Sequence, residues 1–142
     1  MKKRNSALAL FAKASLAENS LTLTAEISED DYYTIGRQLS RIGECSQWWI
    51  GDWLNAGRDG YGDLKARCDR AGIEYGTGRK YASVCQGVPT VRRSTLSFGH
   101  HEVVAAMEPD EQRRWLERAT ENDWSVGELR GQIEQAKRTD DQ

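Results

Sequence analysis

The stretch from Tyr61 to Arg93 constrains the fold most strongly, because it predicts two short helices joined by a glycine-bearing turn. Leu64 and Cys68 are four residues apart and therefore share one face of the first helix. Gly72 provides the break, since glycine tolerates the positive φ at which many helices end. In the second helix, apolar residues with helical spacing predict one buried face, formed by Tyr81, Val84, Cys85 and Val88.

The opposite face of the second helix is small, polar and cationic, as expected for a helix that lies in the major groove of DNA. We predict that this face contacts DNA through Gly76, Arg79, Lys80, Ser83 and Gln86. Lys65, Arg67 and Arg70 are expected to cover the exposed sides of the first helix, and Lys65 joins the predicted DNA contacts. Helix pairs of this kind also occur as plain packing units. Gly76 and Gly78 each weaken the second helix by roughly 1 kcal/mol relative to alanine.

The basic residues are concentrated in the centre of the chain. Residues 64–93 hold seven Lys and Arg against two acidic residues, whereas both flanks are acidic and the whole chain carries a net charge of −2. Because phosphates are neutralised locally, this distribution favours a nucleic-acid partner. Arg92 and Arg93, just after Pro89, are predicted to contact backbone phosphates, which fix register without reading sequence. The alternative is that the basic side chains only solvate two exposed helix faces.

The composition fits a small helical protein. At 142 residues the chain suits one domain or two small helical modules, and 38% hydrophobic residues with five Trp suffice for a core. Cys45, Cys68 and Cys85 form no C-x-x-C pair, so we interpret them as small buried apolar residues in a reducing cytoplasm. No segment is apolar for long enough to suggest a membrane partner. No metal or cofactor is expected.

The N-terminal segment predicts an arm and then a strand. Residues 1–19 are interpreted as a flexible basic arm, since the apolar run Ala7–Ala12 is too short for a signal peptide. Residues 20–25 alternate apolar and polar side chains, which predicts a short strand without a partner in an otherwise helical chain. Either a second copy pairs with this strand or it is an extended arm. We predict a homodimer with Leu21 and Leu23 among its contacts.

A Trp-rich helical segment follows. Ser28 is predicted to cap its first helix, and Ser46 is predicted to cap a second one. Apolar residues with alternating spacings of three and four predict a continuous buried seam through Tyr32, Ile35, Leu39, Ile42, Trp49 and Trp53. Tryptophans at helical spacing favour a core or a subunit interface over a ligand-stacking site. Trp49 and Trp53 therefore join the predicted dimer contacts.

The fold class predicted for the whole chain is mainly α, with a helix-turn-helix core, flanking helices and one short N-terminal strand. The strand and the Trp-rich helices occupy residues 20–58, the helix-turn-helix residues 59–93, and a three-helix unit residues 94–138 before a tail at 139–142. In that unit Ser97 is expected to cap one helix and Pro109 to open another. Ser125 and Glu128 form a capping box at the start of the last helix.

The order of these motifs resembles the LmbU-type transcriptional regulators of actinobacteria. The resemblance rests on SQWWIGDWL (46–54), YG (61–62), KYASV (80–84) with Pro89 and Arg92-Arg93, LSFGHHEVVAAM (96–107), EQRRWLERA (111–119) and WSVGELR (124–130). The second half is also similar to the helix-turn-helix core of the ParB and KorB partition proteins. The resemblance implies DNA binding, control of transcription (in some cases in a mobile element) and self-association, and it adds Thr77 to the contacts. Gly78 departs from the larger apolar residue usual in the family.

We predict a sequence-specific regulator of transcription that binds double-stranded DNA, in which Arg79 or Lys80 reads a guanine, and we expect no enzymatic activity. An enzyme would have to use His100, His101 and Glu102, but adjacent histidines point to different sides of a helix. We interpret the histidines as a polar helix side that can touch phosphate. The alternatives are a partition or mobile-element protein, and a helical adaptor that contacts RNA polymerase or another regulator.

Overall fold

The computed structural model describes residues 14–17, 19–24, 26–42 and 46–141, without the side chains of 40–42. The chain divides into two compact units, Met1–Gln86 and Gly87–Gln142. Among the described residues, the first unit contains β1 (Ala14–Ala17), β2 (Ser20–Leu23), α1 (Glu29–Ile42), α2 (Gln47–Ala56), α3 (Leu64–Ala71) and α4 (Tyr75–Gly87). The second contains a 3₁₀ turn (Thr90–Arg92), α5 (Phe98–Val104), α6 (Pro109–Glu121) and α7 (Val126–Asp140). The predicted mainly helical class is confirmed. Within these ranges, every helix is too short or too polar to traverse a lipid bilayer.

The N-terminal strand has a partner within its own chain. β1 and β2 pair antiparallel, with Leu16 opposite Leu21. The prediction of an unpaired strand was therefore wrong, and so was that of a flexible arm at Ala14–Ala17. The rest of that arm, residues 1–13 and 18, lies outside the described residues. Because β1 pairs with one edge of β2, a second copy is not needed to give β2 a partner strand.

The core of the first unit forms where α1 packs against α2. The rings of Tyr32 and Trp53 stack with their centroids 4.2 Å apart. Each residue also donates a side-chain hydrogen bond to the other's carbonyl, over 3.0 Å from the Tyr32 hydroxyl and 2.7 Å from the Trp53 indole. Ile35 and Leu39 lie buried in the same core, which confirms the predicted seam at these positions. The side chain of Ile42 lies outside the described part.

The four residues predicted to form dimer contacts pack on the core of their own chain. Leu21 and Trp53 are buried within the chain, so neither has an exposed surface for a second copy. Leu23 and Trp49 are partly buried against the same core. The Trp49 indole also donates a hydrogen bond to the carbonyl of Ala17 over 2.8 Å, which ties β1 to α2. The homodimer itself stays a prediction.

Serine hydroxyls mark several helix starts, as predicted, with one exception. Ser28 accepts a hydrogen bond from the backbone N–H of Asp31 over 3.1 Å and so caps α1. Ser97 caps α5, and Ser125 forms the complete capping box with Glu128 at the start of α7. Ser46 precedes α2 but makes no capping bond. Its hydroxyl donates to the carbonyl of Leu39 instead, so the prediction of a cap there was wrong.

α3 and α4 form the predicted pair of helices around a glycine turn. Asp63 caps α3 by accepting a hydrogen bond from Ala66 N–H over 2.8 Å. Gly72 ends α3 in the left-handed conformation, with φ at 77°. Gly78 lies on the buried side of α4, where a Cβ atom would stand 2.6 Å from the Sγ of Cys68. A glycine here therefore allows α3 and α4 to approach closely, which explains the departure from a larger apolar residue.

The core of the second unit lies between α5, α6 and α7. It is formed by Val104, Leu116, Ala119, Leu129 and Ile133, with Met107, Trp115 and Trp124 partly buried around it. Pro109 occupies the start of α6, as predicted. The unit is thus a small three-helix module with a core of its own.

His100 and His101 belong to the interior of this unit and not to its surface. The His100 ring makes hydrogen bonds to the Ser97 hydroxyl (2.7 Å) and to the Trp124 carbonyl (2.8 Å). The Nε2 atom of His101 accepts a bond from Ser94 N–H over 2.9 Å, and its Nδ1 lies 2.7 Å from the Ser97 carbonyl. Because both rings are buried, the interpretation that they touch phosphate was wrong.

These contacts predict that acid destabilises the protein through His101. Burial lowers the pKa of His101, the charges of His100 and Arg93 act in the same direction, and the hydrogen bond to Ser97 opposes them. The folded protein therefore disfavours the charged ring, so its contribution to stability is present above the unfolded pKa of about 6.5 and falls as the pH drops below it. Urea unfolding at pH 7.5, 6.5 and 5.5 should show this loss. His101→Gln should flatten the curve in that range, and an equal slope in both proteins would contradict the prediction.

Candidate nucleic-acid interface

The exposed surface of α4 contains all the DNA contacts predicted on this helix. The helix buries Gly78, Ala82, Val84 and Cys85, and its opposite side is exposed to solvent. The residues exposed on that side are Gly76, Thr77, Arg79, Lys80, Ser83 and Gln86. We call this set the α4 face. The structure thus places the six residues on one continuous helical surface with two cationic side chains.

The start of α4 is held by a local hydrogen bond. A carboxylate oxygen of Glu74 accepts from the backbone N–H of Thr77 over 2.8 Å. Such a bond satisfies one of the free N–H groups of the first turn, as a capping side chain does. The two glycines near this end therefore lie in a helix whose first turn is fixed.

Lys65 is exposed on α3 but is already paired. Its ammonium group lies 3.0 Å from the carboxylate of Asp69, and the two side chains are 67% and 58% exposed. The hydrogen bond to Asp69 raises the pKa of Lys65. An exposed pair of this kind is weak and screened by salt. A phosphate can therefore compete for Lys65, although Asp69 offsets part of its charge.

Arg92 and Arg93 are half-buried and hold the backbone of the second unit. Arg92 donates to the side-chain oxygen of Gln112 over 3.0 Å and to the carbonyl of Gly87 over 3.2 Å. Arg93 donates to the carbonyl of Val88 over 2.9 Å. Both guanidinium groups thus have structural partners that the sequence did not indicate. Their contact with phosphate stays a prediction.

Arg67, which was expected to be exposed on α3, is buried. Its guanidinium group donates hydrogen bonds to the carbonyls of Gly62 and Leu54 and to the hydroxyl of Tyr32. All three acceptors are neutral. The positive charge of Arg67 therefore lies in the interior of the unit, close to the surface that contains the α4 face.

A cavity of about 440 Å³ opens beside the α4 face, between the end of α2, the start of α3 and α4. Its cationic lining residues are Arg58, Arg67 and Arg79. Ser83 and Gln86 contribute polar side chains from α4. The sequence did not single out Arg58, which follows the end of α2. Arg58 lines the same cavity as Arg79 because α2, α3 and α4 meet there.

Within the described ranges, no three His, Cys, Asp or Glu side chains are close enough together to hold a metal ion. Cys68 and Cys85 are free and buried, as predicted, and burial raises the pKa of the Cys68 thiol. Cys45 lies outside the described residues. The α4 face supplies an array of hydrogen-bond donors with two positive charges.

Comparison with known proteins bears on what this array binds. The chain is 37% identical over 123 residues to the transcriptional regulator NovE of Streptomyces niveus. The chain is similar to a transcriptional regulator. The match covers 85% of the chain but only 57% of that protein, so the chain spans less than two thirds of the relative's length. No family profile and no solved structure matches the chain.

Proposed function

We propose that this protein is a regulator of transcription that binds double-stranded DNA in a sequence-dependent manner, without enzymatic activity. The observation that carries the proposal is the α4 face, on which polar and cationic side chains are exposed together on one helix of a helix–turn–helix pair. A helix of this shape fits the major groove, where side chains can reach base edges. The similarity to NovE supports a regulator of the LmbU type.

In this proposal the α4 face enters the major groove, and Lys80 and Thr77 reach towards base edges. Lys80 can donate to the O6 and N7 atoms of guanine, and the Thr77 methyl group can contact that of thymine. Lys65 adds a phosphate contact from α3. A homodimer on a repeated site and a contact with RNA polymerase are further parts of the proposal. No observation favours a partition function or a DNA-independent adaptor.

We predict that Lys80→Ala relaxes the base preference at one position of the binding site. A lost contact to a base edge should reduce discrimination there by about 1–3 kcal/mol. Fragments selected from random DNA by the wild type and by the variant would show the change as a less constrained position. Arg130→Ala, at an exposed position of α7, is a charge-matched control that should leave the selected motif unchanged. If the wild type retains no DNA from the random pool at low salt, the proposed function is wrong.

A further inference from the structure

The cavity beside the α4 face has an excess of positive charge. Three guanidinium groups, those of Arg58, Arg67 and Arg79, line it against the single carboxylate of Asp63. One oxygen of Asp63 is already engaged as the cap of α3. In the described part of the chain, neither Arg58 nor Arg79 has a side-chain hydrogen bond or an ion pair. The cavity therefore presents two cationic side chains that form no ion pair with any described residue.

Buried Arg67 strengthens this field. Its hydrogen bonds within the described ranges all go to neutral acceptors, the carbonyls of Gly62 and Leu54 and the hydroxyl of Tyr32. A buried charge without a counter-ion is unfavourable, and its field is less screened than that of a surface charge. An anion in the adjacent cavity would offset that cost. The buried guanidinium group of Arg67 and the exposed ones of Arg58 and Arg79 thus all favour an anion in the cavity.

We infer that this cavity binds one phosphodiester group of the DNA backbone, held by Arg58 and Arg79. The inference rests on the proposed function and adds Arg58 to the DNA contacts. The guanidinium groups provide forked donors that match phosphate oxygens, and Ser83 adds a hydroxyl from the same wall. The amide of Asn55 donates to the carbonyl of Ala82 over 3.0 Å, which fixes the end of α2 against α4. This bond joins the end of α2, which Arg58 follows, to the helix that contains Arg79.

This arrangement separates two roles on the α4 face. Arg79 lines the cavity, whereas Lys80 does not. Arg79 therefore serves the backbone phosphate and sets the register of the helix, and Lys80 is left to read a base. Phosphate contacts position a protein on DNA, and base contacts specify its site.

The test measures DNA affinity as a function of salt for the wild type, Arg58→Ala and Arg79→Ala. Because both guanidinium groups hold the same phosphate, each variant should reduce the magnitude of the slope of log K against log salt by up to about 0.9, which corresponds to at most about an eightfold loss of affinity at 0.1 M salt. The loss should be equal for the selected site and for a scrambled sequence. Arg37→Ala is the control, because Arg37 is exposed on α1 and does not line the cavity.

The outcomes separate this inference from the proposed function. If Arg58→Ala keeps the slope of the wild type while the wild type binds its selected site, the phosphate clamp is wrong and the regulator remains. If Arg79→Ala changes the preferred sequence, the division of roles is wrong. Inorganic phosphate is added to each folded protein as a second probe. If it raises the Tm of the wild type but not of Arg58→Ala, and the wild type binds no DNA, the cavity takes a free anion and both proposals are overturned.

Discussion

Replacing Trp53 with alanine is expected to lower the free energy of unfolding by about 3–5 kcal/mol. The side chain is fully buried, stacks on Tyr32 at 4.2 Å and donates a hydrogen bond to the Tyr32 carbonyl. A Cβ atom at Gly36 would clash with the Trp53 ring, so α1 has no side chain at this position that could fill the space. Truncation thus removes apolar burial, leaves a cavity and frees a buried carbonyl. Urea unfolding followed by circular dichroism measures the loss.

Two further variants test how Trp53 contributes to stability. Trp53→Phe keeps an aromatic ring but loses the indole N–H, so we expect a smaller loss, of about 1–3 kcal/mol. Trp115→Ala removes a partly buried tryptophan in the second unit and is expected to cost less than Trp53→Ala. If Trp53→Ala were no more destabilising than Trp115→Ala, the Tyr32–Trp53 pair would not be the centre of the first unit.

The core helices of the fold could be predicted because apolar spacing fixes a buried face. The hairpin could not be predicted in this way. β1 has only four residues, and the connection Glu18-Asn19 lacks the glycine that marks most two-residue hairpin loops. Short strands gain their stability from what they pack on, here α2, and a local pattern does not contain that contact.

The α4 face could be predicted because apolar spacing also fixes which side of this helix is buried. Once Val84 and Cys85 are assigned to the buried side of α4, helical geometry places Arg79 and Ser83 on the other side. The burial of Arg67 could not be predicted because the Tyr32 hydroxyl and the Leu54 carbonyl, which accept its hydrogen bonds, lie 35 and 13 residues away in the sequence. The position of Arg58 in the cavity could not be predicted from the sequence, because the cavity exists only after α2, α3 and α4 have packed. Single-residue propensity was also misleading at Gly78, where close packing outweighs the lower helix propensity of glycine.

Gly51→Ala is expected to lower the free energy of unfolding by about 3 kcal/mol and to weaken DNA binding, because the added methyl group disturbs the packing of α4 on α2. Gly51 is buried in α2, and a Cβ atom there would stand 2.5 Å from the carbonyl oxygen of Tyr81 in α4. A backbone oxygen cannot turn away as a side chain can, so the two helices have to separate. Overpacking of this kind costs about 1–3 kcal/mol or more. The same separation widens the cavity between Arg58 and Arg79.

The matched control for this variant is Gly131→Ala. Gly131 lies inside α7, and no atom stands within 4 Å of the position that its Cβ would occupy. There the methyl group should stabilise the helix by up to about 1 kcal/mol, since alanine has the higher helix propensity. The same substitution thus has opposite expected signs at two helical glycines. Unfolding measured for both variants, together with DNA affinity at a pH and temperature where both are folded, distinguishes displacement of α4 from a general effect of the methyl group. If Gly51→Ala were as stable as the wild type, α2 would not be the rigid support of the α4 face, and the spacing of the phosphate clamp would need another cause.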